Sequence, residues 1–213
     1  MNAQHPGQAN EQEYSTAVTG LLFFDECRFK DALQGGHPIT VFKDAIQAAN
    51  IHFDNRYYEG EDVRTLVNER ARFIDRLLHH VWLHFQMGHS AALVAVGGYG
   101  RCELHPHSDI DLLILLEGEP DAAQKDTLER FITFLWDLSL DIGHSVRTIE
   151  ECVQAAASDI SVMTNLLESR TLEGNPTLRR AMRAEIDQRG IWSSREFFYA
   201  KWDEQHTRHH KHN

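Results

Sequence analysis

The chain has 213 residues, of which 42% are hydrophobic and 25% are charged, and its formal net charge is −11. The proportions are ordinary for a globular protein, and the length is sufficient for one sizeable hydrophobic core. The acidic charge argues against non-specific binding to nucleic acid, and no apolar run is long enough to span a bilayer, so we expect neither a nucleic-acid nor a membrane partner.

The amino-terminal residues 1–16 are polar, have the composition of a disordered tail and lack the apolar core of a signal peptide. The three cysteines, Cys27, Cys102 and Cys152, are far apart and form no Cys-x-x-Cys pair. This cysteine usage indicates a reducing compartment. We therefore expect a cytoplasmic protein.

Residues 17–88 are expected to form a helical segment. Residues 38–50 favour one helix, and residues 61–87 favour the clearest helix of the chain, because apolar side chains recur there at every third or fourth position. Residues 17–33 contain scattered apolar side chains without a clear period.

The predicted core, residues 89–150, begins with a short apolar strand at residues 93–96. Gly97 and Gly98 end this strand abruptly, which predicts a tight turn. Glycines let a backbone approach phosphate groups closely, and their N–H groups can bind phosphate oxygens.

Asp109 and Asp111 begin a second apolar strand, and their spacing of two places both carboxylates on one face. Adjacent carboxylates repel each other and lose hydration, and a divalent cation would offset both costs. The Asp-x-Asp pair alone is more typical of a solvated turn before a core strand. Together with the preceding glycine turn, it favours a metal-dependent phosphoryl-transfer site.

A helix is predicted at residues 121–138, and the alternating residues 140–147 indicate a third strand. Asp141 lies on the polar side of this strand. If the strand lies beside the Asp-x-Asp strand, Asp141 can complete a triad of carboxylates. The other interpretation is a surface aspartate at the start of a strand.

Residues 151–213 are expected to form a second helical segment. Thr148 and Glu151 have the spacing of a capping box, and a further helix is predicted to run from about residue 159 to Arg170. Residues 177–189 favour another helix that stops at Gly190.

Gly-Gly-Tyr-Gly-Arg from Gly97 and Ser-Asp-Ile-Asp-Leu from Ser108 resemble the signature of the nucleotidyltransferase superfamily, which shares its fold with DNA polymerase β. More narrowly, VAVGGYGRCELHPHSDIDLLILL and LWDLSLDIGHSVRTIEEC resemble the amino-terminal region of bacterial bifunctional PII uridylyltransferase/uridylyl-removing enzymes. The resemblance runs from about Phe42 to the end of the chain and includes TNLLESR at residues 164–170. It implies an α+β fold, in which a polymerase β-like core with a small mixed sheet is flanked by amino- and carboxyl-terminal helices.

The same resemblance implies a transferase that moves UMP from UTP to a tyrosine hydroxyl of the PII nitrogen-regulatory protein and releases pyrophosphate. Asp109 and Asp111 are then the catalytic residues and the ligands of Mg²⁺, with Mn²⁺ as a substitute. The third carboxylate position of the family favours Asp141 as a further ligand, or as the acceptor of the proton.

The expected nucleotide-binding residues are Gly97, Gly98, Arg101 and Ser108. The two glycines would let the backbone bind the β- and γ-phosphates. Arg101 is the cation nearest to the turn, and it either neutralises phosphate charge or only pairs with Glu103.

Two alternatives remain open. A nucleotidyltransferase of the same fold could transfer AMP to another regulatory protein, since these residues do not identify the base. A non-catalytic regulatory module could also retain the fold, although both aspartates of the motif are intact. In the resembled family, the chain continues into an HD-type hydrolase domain and two ACT domains. This sequence contains no His-Asp doublet, so we expect neither UMP removal nor glutamine control from it.

Overall fold

The computed structural model describes residues 23–211, with side chains described to residue 204 and at residue 206. The predicted disordered tail, residues 1–16, lies outside the described residues. The elements follow in chain order: α1 (Glu26–Leu33), α2 (Pro38–Tyr58), α3 (Val63–His84), β1 (Ala91–Ala95), α4 (Gly97–Gly100), β2 (Ile110–Leu116), α5 (Ala122–Asp137), β3 (Ile142–Thr148), α6 (Ile149–Ser158), α7 (Ile160–Leu167), β4 (Arg170–Gly174), α8 (Pro176–Arg189) and α9 (Ser194–Lys211).

The four strands form one mixed sheet in the order β3-β2-β1-β4. Strand β1 pairs antiparallel with both β2 and β4, whereas β2 and β3 are parallel. Parallel neighbours need a crossover connection, and helix α5 supplies it. The α+β fold class predicted from the sequence is therefore confirmed.

Strand β2 is buried on both faces, because helices cover both sides of the sheet. Ile110 and Leu112 pack into a cluster with residues of α1, α2, α3 and α5, while Leu113 and Leu115 pack with residues of α6, α7 and α8. Burial of each such side chain contributes about 1.5–3 kcal/mol, so a register slip by one residue would be costly. Asp111 shares its face with Leu113 and therefore points toward the α6–α8 side.

The helix boundaries follow local capping chemistry. Asp62 and Asp121 accept backbone hydrogen bonds at the starts of α3 and α5, and Thr148 and Glu151 form the predicted capping box of α6. Gly190 has a φ of +57° after α8, which suits glycine at a helix end. No helix within the described residues is long and apolar enough to cross a membrane.

The structure differs from the sequence prediction after residue 159. The helix predicted to reach Arg170 ends at Leu167, and Arg170–Gly174 forms β4 at the edge of the sheet. The predicted end of that helix is therefore wrong, and the segment 151–213 contains β4 besides its helices, while the division of the chain at residue 151 stays a prediction. All five residues of β4 are half-buried, so no alternation marks them as a strand. Pairing with β1 instead satisfies their backbone groups.

Candidate active site

The glycine turn, Gly97–Gly100, is a single helical turn directly after β1. Gly97 has a φ of +59°, a conformation that disfavours residues with a Cβ. A Cβ at Gly100 would lie 1.9 Å from the carbonyl oxygen of Glu168. Only glycine at position 100 therefore allows the end of α7 to approach the turn so closely.

Behind the turn lies a group of three polar residues that we call the anchor cluster, Asp75, Tyr99 and Arg170. The buried Tyr99 hydroxyl donates a hydrogen bond of 2.5 Å to Asp75, and Arg170 donates two of 2.8 Å to the same carboxylate. The Arg170 guanidinium also lies 4.9 Å from the centre of the Tyr99 ring and donates to the Tyr99 carbonyl. The cluster thereby joins the turn to α3 and β4.

The surroundings of the anchor cluster keep the Tyr99 hydroxyl and the Arg170 guanidinium protonated. Burial and the neighbouring Asp75 charge raise the pKa of Tyr99 well above its usual value, so the hydroxyl remains a donor. Burial by itself lowers the pKa of Arg170. The charge of Asp75 and the hydrogen bonds to Asp75 raise the pKa by a larger amount, so the net shift is upward. No local pattern in the sequence predicts the cluster, because Asp75 is distant from both partners along the chain.

In front of the turn lie the two aspartates of the motif. Asp109 is exposed immediately before β2, and Asp111 is half-buried at its second position. Burial and then the nearby Asp109 charge raise the pKa of Asp111. Neither aspartate has a hydrogen bond or an ion pair with any side chain that the structure describes. The predicted strand and its pair of carboxylates are therefore present, with no protein cation between them.

A side chain at Gly143 would displace the Asp111 carboxylate, whereas one at Gly97 would only touch it. Gly143 lies opposite Asp111 on β3, and a Cβ there would be 2.6 Å from Asp111 Oδ1. A Cβ at Gly97 would be 3.4 Å from Asp111 Oδ2. Gly143 was not among the predicted site residues, although an isolated glycine within a strand often marks such a close approach.

Asp141 lies beside the motif, as the predicted triad requires. The N–H of Ile110 donates to the Asp141 carbonyl at 2.7 Å, and Ile110 pairs with Ile142 in the parallel register. Asp109 and Asp141 thus precede neighbouring strands at one end of the sheet. Across residues 23–204 and 206, no three His, Cys, Asp or Glu side chains are gathered closely enough to hold a metal ion. Metal binding by the triad stays a prediction.

Arg101 is engaged by two carboxylates. Its Nε donates to Glu103 at 3.0 Å, and its Nη1 forms a short contact with Glu168 at the end of α7. The ion pair with Glu103 was one of its two predicted roles, whereas the bond to Glu168 was not foreseen. Ser108 is exposed, and its N–H donates to the His105 carbonyl. Nucleotide binding by Gly97, Gly98, Arg101 and Ser108 stays a prediction.

Comparison with known proteins identifies the same region. A family model described as a nucleotidyltransferase domain matches residues 83–166, which run from the end of α3 into α7. A bifunctional uridylyltransferase/uridylyl-removing enzyme of Pseudomonas syringae pv. tomato is 47% identical over 193 residues, which are 89% of this chain and 22% of that protein. The enzyme of the same name from Pseudomonas entomophila is also 47% identical over 89% of this chain, and the match covers 21% of its length.

The chain therefore spans about a fifth of the length of these curated relatives. A solved toxin–antitoxin structure with AMP-PNP is only distantly similar, with a TM-score of 0.34 and 13% identity over 54% of this chain and 84% of that one. We conclude that this chain carries a nucleotidyltransferase domain with a polymerase β-like core and is homologous over most of its length to the uridylyltransferase/uridylyl-removing enzymes.

Proposed function

We propose that this chain transfers UMP from UTP to a tyrosine hydroxyl of a PII-type signal protein in the bacterial cytoplasm and releases pyrophosphate. The nucleotidyltransferase domain and the names of the homologues support this class of reaction. The observation that carries the proposal is the half-buried Asp111 beside Asp109, in front of a glycine turn and without a cation among the side chains that the structure describes.

The residues in front of the turn fit a divalent metal, which nucleotidyltransferases generally use. Asp111 projects from an otherwise apolar strand, and its pKa is raised because burial and Asp109 disfavour its charge. Carboxylate oxygens are the ligands that Mg²⁺ prefers. A cation there would offset both the burial of the Asp111 charge and its repulsion by Asp109. Asp109 and Asp111, with Asp141 at the same end of the sheet, would hold one or two Mg²⁺ ions, with Mn²⁺ as a substitute.

In the proposed reaction, the tyrosine oxygen forms a bond to the α-phosphorus of UTP. The bond between the α-phosphorus and the oxygen that bridges it to the β-phosphorus breaks, and pyrophosphate leaves. Asp109 and Asp111 would hold the ions, which when bound would supply charge neutralisation for the leaving pyrophosphate and a lower pKa for the attacking hydroxyl. The phenolic proton passes to Asp141 or, if Asp141 serves as a metal ligand, to water, and the backbone at Gly97 and Gly98 holds the β- and γ-phosphates.

The anchor cluster contributes to this reaction by fixing the turn. Because Tyr99 belongs to the turn itself and is bonded to Asp75 and Arg170, the glycine backbone is held against α3 and β4. A rigid support of this kind keeps phosphate-binding N–H groups at one distance from the carboxylates. Substrate binding then needs little reorganisation of the backbone.

The experiment that tests the proposal measures transfer of α-labelled UMP to purified PII protein in the presence of Mg²⁺ or Mn²⁺. ATP replaces UTP in a parallel reaction. An Asp109→Asn/Asp111→Asn variant is the inactive control. Asp126→Asn, which changes an exposed aspartate on α5, is the matched control and is expected to retain transfer.

Metal-dependent labelling from UTP that the double variant loses would support the proposal. Labelling from ATP alone would instead support AMP transfer by the same fold. Failure of the chain to bind any nucleoside triphosphate with metal would favour a non-catalytic module and contradict the proposal.

A further inference from the structure

Asn165 on α7 reaches the glycine turn from the side of the sheet that Asp111 faces. The side chain is half-buried, and its Oδ1 lies 3.3 Å from the position that a Cβ on Gly97 would occupy. The Asp111 Oδ2 lies 3.4 Å from the same position. The carboxamide and the carboxylate therefore flank the same point of the turn.

The placement of Asn165 depends on a close backbone contact. Glu168, which follows Asn165 by three residues, has its carbonyl oxygen where a Cβ on Gly100 would collide at 1.9 Å. The Glu168 side chain also binds Arg101. One end of α7 is thus fixed to the turn at two points, which sets the distance of Asn165 from it.

The carboxamide of Asn165 makes no hydrogen bond with any residue that the structure describes. A half-buried amide offers two donors and one acceptor, and the Asn165 amide is not among the polar groups that are closed off from solvent. Since no neighbour fixes its orientation, either the oxygen or the nitrogen can face the turn. A ligand at the turn could therefore take up the unused hydrogen bonds.

The chemistry of the turn indicates which ligand this is. A triphosphate at the turn presents several anionic oxygens, and Arg101, the nearest cation in the sequence, is already paired with Glu103 and Glu168. A neutral donor can approach a phosphate beside Asp111 without adding a second negative charge. The amide nitrogen of asparagine meets this requirement, whereas a carboxylate at this position would repel the phosphate.

We propose that Asn165 is a substrate-binding residue whose Nδ2–H donates to the β- or γ-phosphate of the nucleoside triphosphate at the glycine turn. This inference rests on the proposed function, because it assigns a further contact at the same site. It gives α7 a direct part in recognising the triphosphate, in addition to its packing against the sheet.

The test measures the dissociation constants of α,β-methylene-UTP and of UMP, each with Mg²⁺, by calorimetry and competition. The variants are Asn165→Ala, Asn165→Ser and Asn165→Asp, and thermal unfolding is recorded for each. Asn68→Ala is the matched control, since Asn68 is a half-buried helical asparagine that bonds only the Arg64 carbonyl of its own helix.

Asn165→Ala should weaken binding of the triphosphate analogue by about tenfold or more, because a hydrogen bond to a charged group is lost. Binding of UMP should stay within about twofold of the unaltered chain, since UMP lacks the contacted phosphates. Asn165→Asp should weaken binding of the analogue more than Asn165→Ala does. Asn68→Ala should change the dissociation constant of neither ligand.

Three results would overturn the inference. Equal binding of the analogue by the unaltered chain and by both Asn165→Ala and Asn165→Ser would show that the amide makes no contact. An equal loss of affinity for the analogue and for UMP would place the contact on the nucleoside or the α-phosphate. Failure of the unaltered chain to bind the analogue with metal would overturn the proposed function together with this inference.

Discussion

The two sides of the glycine turn differ in how their charges are balanced. Behind the turn, the Asp75 carboxylate receives three hydrogen bonds from Tyr99 and Arg170. In front of the turn, Asp109 and Asp111 have no partner among the side chains that the structure describes, and burial and mutual repulsion raise the pKa of Asp111.

This difference separates a structural role from a functional one. A buried charge is tolerated when hydrogen bonds and an opposite charge compensate for lost hydration, and the anchor cluster provides both. The aspartates in front of the turn remain uncompensated, which reduces stability unless a ligand binds them. Perturbed carboxylates of this kind are concentrated at functional sites. Changes behind the turn should therefore mainly alter stability, and changes in front should mainly alter transfer.

The largest effect is expected from Asp109→Asn and Asp111→Asn, each made alone. Transfer of labelled UMP should fall by at least about 100-fold, since residues that only support metal ligands already contribute 10–100-fold. The free energy of unfolding should change by less than about 1 kcal/mol, because neither carboxylate has a side-chain partner within the described part of the chain. If both variants retained transfer, the functional role assigned to Asp109 and Asp111 would be wrong.

Arg170→Ala should have the largest effect on stability. Removal of one partner from a buried ion pair costs about 3–5 kcal/mol, and we expect about 2–3 kcal/mol here, because both side chains are partly exposed. Denaturant titration measures the change. Arg130→Ala is the control, since Arg130 pairs with Asp126 on the surface of α5, and its loss should cost less than about 0.5 kcal/mol. A similar decrease in the free energy of unfolding of both variants would contradict a stabilising role of the anchor cluster.

Gly143→Ala should affect the front of the turn selectively. The new Cβ would lie 2.6 Å from Asp111 Oδ1, so the carboxylate must move, and transfer should fall by about tenfold or more. Gly118→Ala is the matched control, because a Cβ at Gly118 would meet no heavy atom within 4 Å. Normal transfer by Gly143→Ala would show that the position of Asp111 is not critical.

The smallest effect concerns the pH dependence of stability. Because the pKa of Asp111 is higher in the folded state, the folded chain holds this proton more strongly, and stability falls as pH rises through that pKa. Asp111→Asn should therefore raise the melting temperature at neutral pH by about 1–2 °C, a modest gain because solvent screens a half-exposed group. The gain should vanish below about pH 3, where Asp111 is protonated in both states. If the higher melting temperature persisted at low pH, its cause would be altered packing and not the charge of Asp111.

The sequence was sufficient to predict features that depend on local pattern. The strand that follows Asp109, the preceding glycine turn and the third strand after Asp141 follow from periodicity and spacing, and the structure contains them. The parallel pairing of the second and third strands was a condition of the triad and could not be derived from the pattern. The family resemblance supplied the reaction class, which no spacing specifies.

Features that depend on tertiary contacts could not be predicted in the same way. Strand β4 is defined by its pairing with β1 and not by an alternating pattern of its own. Gly143 and Asn165 matter because they lie close to Asp111 and Gly97 in space, and neither residue has a distinctive local pattern. Their roles became visible only when the register of the sheet and the position of α7 were known.

The central claim is that the front of the glycine turn binds a divalent metal together with a nucleoside triphosphate. Electron paramagnetic resonance of Mn²⁺ tests this most directly, by titration of the metal into the chain with α,β-methylene-UTP present. The account predicts saturable binding of Mn²⁺ that requires the nucleotide, is lost in Asp109→Asn/Asp111→Asn and is retained in Arg130→Ala. Equal Mn²⁺ binding by the double variant and the unaltered chain would contradict the account.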